Sequence, residues 1–196
     1  MKKLILIAAS TLALAACGNN ETAGDVGETA NSAVNEVQDT AAGAVGAVTA
    51  PMVNTADGYV TNAAISDMYE VQSSQLALEK AQSAEVKTFA QKMIDDHTAT
   101  TEQLKSTIAS ANLNLTPPTT LDSRRQGMLD NLKGLSGAEF DKAYLEQQTA
   151  AHEEALKLHR GFAQDGDNPA LKTLAGEIAP KIENHLQMVQ KLKPNA

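Results

Sequence analysis

The sequence predicts an all-α fold: a four-helix bundle with a short extra helix in the long connection between its second and third helices. Three observations predict it. Apolar residues recur at helical spacing over four long segments. Two connections between those segments are tight and the middle one is long, as bundle topologies require. The core palette is Ala, Leu, Ile, Val and Met, with aromatics at only 3% and no Trp, which suits closely approaching helices better than a sheet sandwich. No segment carries a convincing strand pattern.

Residues 1–16 read as an export signal. Lys2 and Lys3 precede an apolar run from Leu4 to Leu14, relieved only by Ser10 and Thr11, that is far short of the roughly 20 residues a spanning helix needs. The run ends in Leu14-Ala15-Ala16-Cys17, which resembles the bacterial lipobox, whose cysteine becomes the first mature residue and carries lipid. Cys17 is the chain's one cysteine, so lipidation accounts for it and no internal disulfide can form. The plainer alternative is an ordinary secreted protein with a chance cysteine. Gly18 rather than Asp follows Cys17, which by resemblance to bacterial sorting signals favours the periplasmic face of the outer membrane.

Residues 17–56 are rich in Gly, Ala, Thr, Asn, Val and acidic groups, and no Lys or Arg occurs between Cys17 and Lys80. Such a stretch buries too little apolar surface to offset its ordering entropy, so it reads as an acidic tether. Val34, Val37, Ala41 and Val45 fall at helical spacing within it, but Gly43 and Gly46 weaken a helix there.

The bundle domain is expected over residues 57–193. A first helix spans about Gly58 to Ala81 and a second about Ala84 to Ala111, each with helical periodicity over many turns. Pro117 and Pro118 close off the second, and SRRQGMLDNLKGL forms the short extra helix, ended by Gly134. A capping box at Ser136-Gly137-Ala138-Glu139 is expected to open the third helix, which runs to about Ala163. QDGDNP is a turn, with Asn168 as N-cap and Pro169 at the first position of a fourth helix ending near Leu192. Pro180 inside that helix removes the donor that would meet the carbonyl of Gly176.

The chemistry lies in the histidines. His97, His152 and His185 each sit inside a different helical segment, on a face shared with Met93 and Leu104, with Leu145 and Leu156, or with Ile178 and Ile182. Each tight turn acts as a mirror: Glu70 and His97 are about equally far from the first, and His152 and His185 from the second. All four positions therefore fall near mid-height, as a candidate metal set. Asp95 and Asp96 flank the core face. Asp96 is expected either to pair with Lys92 or to orient His97 from behind, and Tyr144 to supply a hydroxyl to the same network. His159 reads as a boundary residue or a helix C-terminal cation.

Buried imidazoles need partners, because an unsatisfied polar group in a core costs roughly 1–3 kcal/mol. The partners are one another, water, or a divalent transition metal such as zinc, iron or copper. A di-iron centre is disfavoured: it asks for Glu-x-x-His on two helices, and Ile94 and Ile182 stand three residues before His97 and His185. No Ser-His-Asp arrangement, CxxC or phosphate loop is present, so no catalytic residue is assigned. The formal charge of −8, about −10 once Lys2 and Lys3 leave with the signal, argues against nucleic acid.

VKTFAQKMIDDHT, LSGAEFDKAYLEQQTAAHEEAL and LKTLAGEIAPKIENHLQMVQKL together resemble the successive motifs of the bacterial domain-of-unknown-function family 4142, considered ferritin-like. The resemblance covers about Gly58 to Leu192 and implies an exported, often lipid-anchored helical bundle of the bacterial envelope. The family pattern falls here on Glu70, Asp96, His97, Tyr144, His152, Pro180 and His185; it implies a fold and supplies no reaction. Two functions follow as expectations. The first is a non-enzymatic envelope protein, in contact with the membrane through its N-terminal lipid and with an unknown protein partner. The alternative is a metal-binding module built on the histidines.

Overall fold

The computed structural model describes residues 53–192; Cys17, the export signal and nearly all of the expected tether lie outside them. Five helices follow in order: α1 (Ala56–Lys80), α2 (Ala84–Ser110), the short α3 (Ser123–Lys133), α4 (Gly137–Asp165) and α5 (Pro169–Leu192). Among the described residues there is no strand, only an isolated bridge between Ala81 and Gly137.

Local chemistry sets the boundaries. The side chains of Thr55, Ser83, Asp122 and Asn168 each accept a hydrogen bond from a backbone N–H in the first turn of α1, α2, α3 and α5, respectively, satisfying donors that the helix cannot. The capping box expected at Ser136 does not form. Ser136 stands at the N-cap position, but its hydroxyl makes no capping bond. Gly137 enters α4 at φ +59°, so the chain turns through a left-handed residue and the serine is not aimed at the first turn. Between α4 and α5, Gly166 lies where a Cβ would come within 2.6 Å of the Phe162 carbonyl oxygen, so the turn needs a residue without one. α5 runs through Pro180 without ending.

α1 packs on α2 and α4, and α5 packs on α2 and α4, so the four long helices form a square with α1 diagonal to α5. Hydrogen bonds fix their directions. Lys80 at the end of α1 reaches the carbonyls of Lys133 and Leu135 just before α4, while Ala56 at the start of α1 donates to Asp167 in the α4–α5 turn. α4 therefore runs parallel to α2, and the order is up, down, down, up with one long crossover, the ferritin-like arrangement. α3 lies against α1 and α4 along that crossover. It is pinned there by Arg124 and Arg125, which both bond Glu154 of α4.

The apolar core has a cluster toward the α4–α5 turn, around Tyr59, Leu104, Phe162 and Ile178, another toward the opposite end, around Phe89, Met93, Phe140 and Tyr144, and a small third one of Tyr69, Leu129 and Ala151 where α3 meets α1 and α4. Between the first two lies a polar layer.

Candidate metal centre

Three of the four central residues meet in that layer. His97 from α2, His152 from α4 and His185 from α5 are at most 1% exposed. Their ring centroids form a nearly regular triangle, with edges of 5.6, 5.4 and 5.5 Å. One nitrogen from each ring lies within 4.8 Å of those from the other two.

The second nitrogen of each ring is held. His97 Nδ1 bonds Asp67 Oδ1 of α1 at 2.8 Å, His152 Nδ1 bonds the Gln148 carbonyl at 2.8 Å, and His185 Nε2 bonds Asp96 Oδ2 at 2.7 Å. A carbonyl only accepts, so His152 Nδ1 carries the proton, and a neutral ring then turns a lone pair outward at Nε2. A carboxylate acceptor likewise places a proton on His97 Nδ1 and on His185 Nε2, so His185 takes the opposite tautomer to the other two. The nitrogens left without partners are His97 Nε2, His152 Nε2 and His185 Nδ1. Each ring is thus held through one nitrogen and leaves the other unengaged, the arrangement by which carboxylates and carbonyls orient histidine metal ligands.

The electrostatics favour one positive charge at this place. Burial, reinforced by the neighbouring His97, lowers the pKa of both His152 and His185 to about 3, so both rings are neutral. Burial also works against a charged His97, but the hydrogen bond and charge of Asp67, with Glu70 and Asp96, outweigh it and raise that group above the ordinary imidazole value. Burial resists ionisation of Asp96 too; Lys92 and His185 override it and hold the carboxyl below the usual carboxylate range. Burial pushes Glu70 up to about 7.

The residues fit a metal ion. A triangle with a 4.8 Å edge has its centre about 2.8 Å from each corner. Zn–N bonds of about 2.0–2.1 Å would then need each nitrogen to draw in by up to roughly 0.7 Å. Asp67, Glu70 and Asp96 stand around the rings to balance a dication.

The structure places the other expected residues differently. Glu70 is 1% exposed but stands outside the triangle, its Oε1 3.7 Å from His152 Nδ1, the ring's engaged nitrogen. Asp96 does not orient His97; it holds His185 and pairs with Lys92 at 2.7 Å at the same time, because α2 faces α5 as well as α1. The Tyr144 hydroxyl reaches Ser74 Oγ at 2.7 Å rather than a histidine. His159 is neither boundary nor cation. It is 3% exposed, bonds Tyr59 Oη through Nδ1 at 3.0 Å, and burial lowers its pKa to about 4.

Asp67 is the residue that sequence reasoning missed as the partner of His97. Thr100 and Thr101 also donate to it, fixing its carboxylate between α1 and α2. A signal was present: Asp67 shares a face with Glu70, and the mirror that pairs Glu70 with His97 pairs Asp67 with Thr100.

Two structures of CopM, one in the Cu(II)-bound form and one in the Ag-bound form, match with TM-scores of 0.59 and 0.57. Both are 17% identical, and the matches cover 70% of this chain and 95% and 94% of theirs. A secreted DUF305 protein from Streptomyces coelicolor matches at 16% identity with a TM-score of 0.57, covering 71% of this chain and 92% of that one. At such identities the likeness is one of fold. The search of curated proteins returned no match. The model of the family described as Domain of unknown function (DUF4142) matches residues 37–192, and the chain belongs to that family.

Proposed function

We propose that this protein is a non-catalytic metal-binding protein of the bacterial envelope that holds one copper ion on His97, His152 and His185. The observation that carries the reading is the set of three buried ring nitrogens without partners, each on a ring whose other nitrogen is already engaged. Three imidazoles form a borderline-to-soft donor set, and among divalent first-row ions such a site ranks Cu²⁺ highest. The bundles of similar fold that were solved with Cu(II) and Ag support the same choice. A trio at most 1% exposed leaves no face for a substrate, which suits retention of an ion rather than turnover. Lipid on Cys17 would hold the bundle at the membrane through the acidic tether, and the secreted relative of similar fold supports a place outside the cytoplasm.

The test is elemental analysis of protein purified without added metal, then after exposure to Cu(II), Ag(I), Zn(II) or Fe(II) and desalting. One equivalent of copper is expected, lost in the His97→Ala/His185→Ala double variant. Zinc or iron retained in preference to copper would reassign the ion, and no retained metal at all would reject the reading.

A further inference from the structure

A groove of about 500 Å³ opens between α1 and α2, rimmed by Pro117 and Pro118 of the crossover. It reaches one of the histidines' own hydrogen-bond partners; Asp96, the partner of His185, meets solvent elsewhere, at the α2–α5 seam. Asp67 lines the groove, is itself only 6% exposed, and bonds His97 Nδ1 at 2.8 Å. The same walls carry Glu102, Thr98, Gln72 and Met68, together with Thr101, whose hydroxyl bonds Asp67. The groove that Asp67 lines is thus also lined by residues with oxygen and sulfur donors.

Resting on the metal reading above, we infer that this groove is the port through which a transition-metal ion enters and leaves the histidine trio, with Asp67 as the carboxylate that receives it. A buried three-nitrogen site needs an entry path as well as ligands. A protein of formal charge −8 draws cations toward it, and carboxylates in a groove concentrate that attraction. Glu102 is the outermost carboxylate, paired at 2.9 Å with Lys105, which an incoming cation displaces. Asp67 would take the ion as its bond to His97 Nδ1 opens and re-form that bond once the ion has passed to the inner face of the ring, where His97 Nε2 would give up its proton to solvent. The two prolines stiffen the rim, so the port is open before the ion arrives.

A port has a signature that a ligand lacks. It changes the height of the barrier and not the bound state, so loading and release slow by the same factor while affinity stays fixed. The experiment uses the purified protein and aqueous Cu(II), with loading followed by stopped-flow quenching of tyrosine fluorescence and release by transfer to a chromophoric chelator. Gln72→Trp fills the groove from the α1 wall and Thr98→Trp from the α2 wall. Glu102→Gln, at an exposed position that folding does not depend on, removes the outer charge without adding bulk. Lys92→Trp places equal bulk at the α2–α5 seam beside Asp96, the rival route.

Each groove plug is expected to slow loading and release at least about tenfold with one equivalent of copper still bound. Glu102→Gln is expected to slow loading about two- to fivefold at low salt and less at high salt. Rates unchanged by the plugs and by Glu102→Gln, or slowed only by Lys92→Trp, would overturn the port while leaving the site intact. Failure of the wild type to bind copper at all would instead remove the reading on which the port rests.

Discussion

The His97 and His152 rings stand at two corners of the same triangle, 5.6 Å apart, and truncating them separates a metal site from a structural network. His152→Leu is the informative change. Its outer nitrogen bonds the Gln148 carbonyl, which the α4 ladder also engages, so replacing the ring strands no buried group on that side. The inner nitrogen is unpartnered, and removing such an atom relieves roughly 1–3 kcal/mol, against roughly 0.5–1.5 kcal/mol for the lost outer bond. The metal-free variant is therefore expected within about 1 kcal/mol of wild type, on the stabilised side. His97→Leu behaves oppositely. It leaves Asp67, 6% exposed, with only the two threonine hydroxyls, and stranding a buried charge costs roughly 3–5 kcal/mol. Urea unfolding of the metal-free proteins measures both. With copper at about a thousand times Kd, binding to the folded state alone adds about 4 kcal/mol, or roughly 10 °C in Tm, to wild type and neither variant. Loss of 3 kcal/mol or more in metal-free His152→Leu would refute the reasoning, because it would mean that the inner nitrogens already make bonds the fold depends on.

Three further outcomes follow from the same contacts. Because His152 and His185 are already neutral while His97 and Glu70 are held above their ordinary pKa values, the protons released on copper binding near pH 6.5 should come from His97 and Glu70 and number fewer than three in all; calorimetry in buffers of different ionisation enthalpy counts them. His159, lowered to about 4 from an unfolded value near 6.5, contributes stability that is present above pH 6.5 and lost as pH falls through 4. The loss approaches about 3 kcal/mol, and His159→Phe should flatten that limb of the acid-denaturation curve. Glu154→Ala removes the acceptor shared by Arg124 and the 7%-exposed Arg125; it should cost about 2–3 kcal/mol and raise amide exchange in α3 before the rest of the bundle.

Much of this molecule was legible along the chain. The helix boundaries follow from short-range chemistry: Ser83, Asp122 and Asn168 cap from within three residues, and Pro169 begins α5 because its missing N–H is not needed there. The meeting of His97, His152 and His185 was legible as well, because tight antiparallel hairpins turn distance from the turn into height in the bundle, and periodicity turns position into facing. The failures are local contests that tertiary geometry settled. Ser136 carries the capping-box residues, yet a left-handed Gly137 directs the chain past it.

The sequence by itself determined that four helices bury a histidine layer, since the apolar period and the turn residues act over a few residues and need no distant partner. Only the tertiary structure decided what each ring faces. Whether Asp96 meets His97 or His185, whether Glu70 joins the triangle or stands behind it, and whether His159 is a solvated cation or a neutral partner of Tyr59 all depend on which helices are neighbours. The long crossover sets that by running α4 parallel to α2 and diagonal from it. Side-chain period assigns a residue to a face of its own helix, but the choice of partner lies in how the helices are arranged around the core.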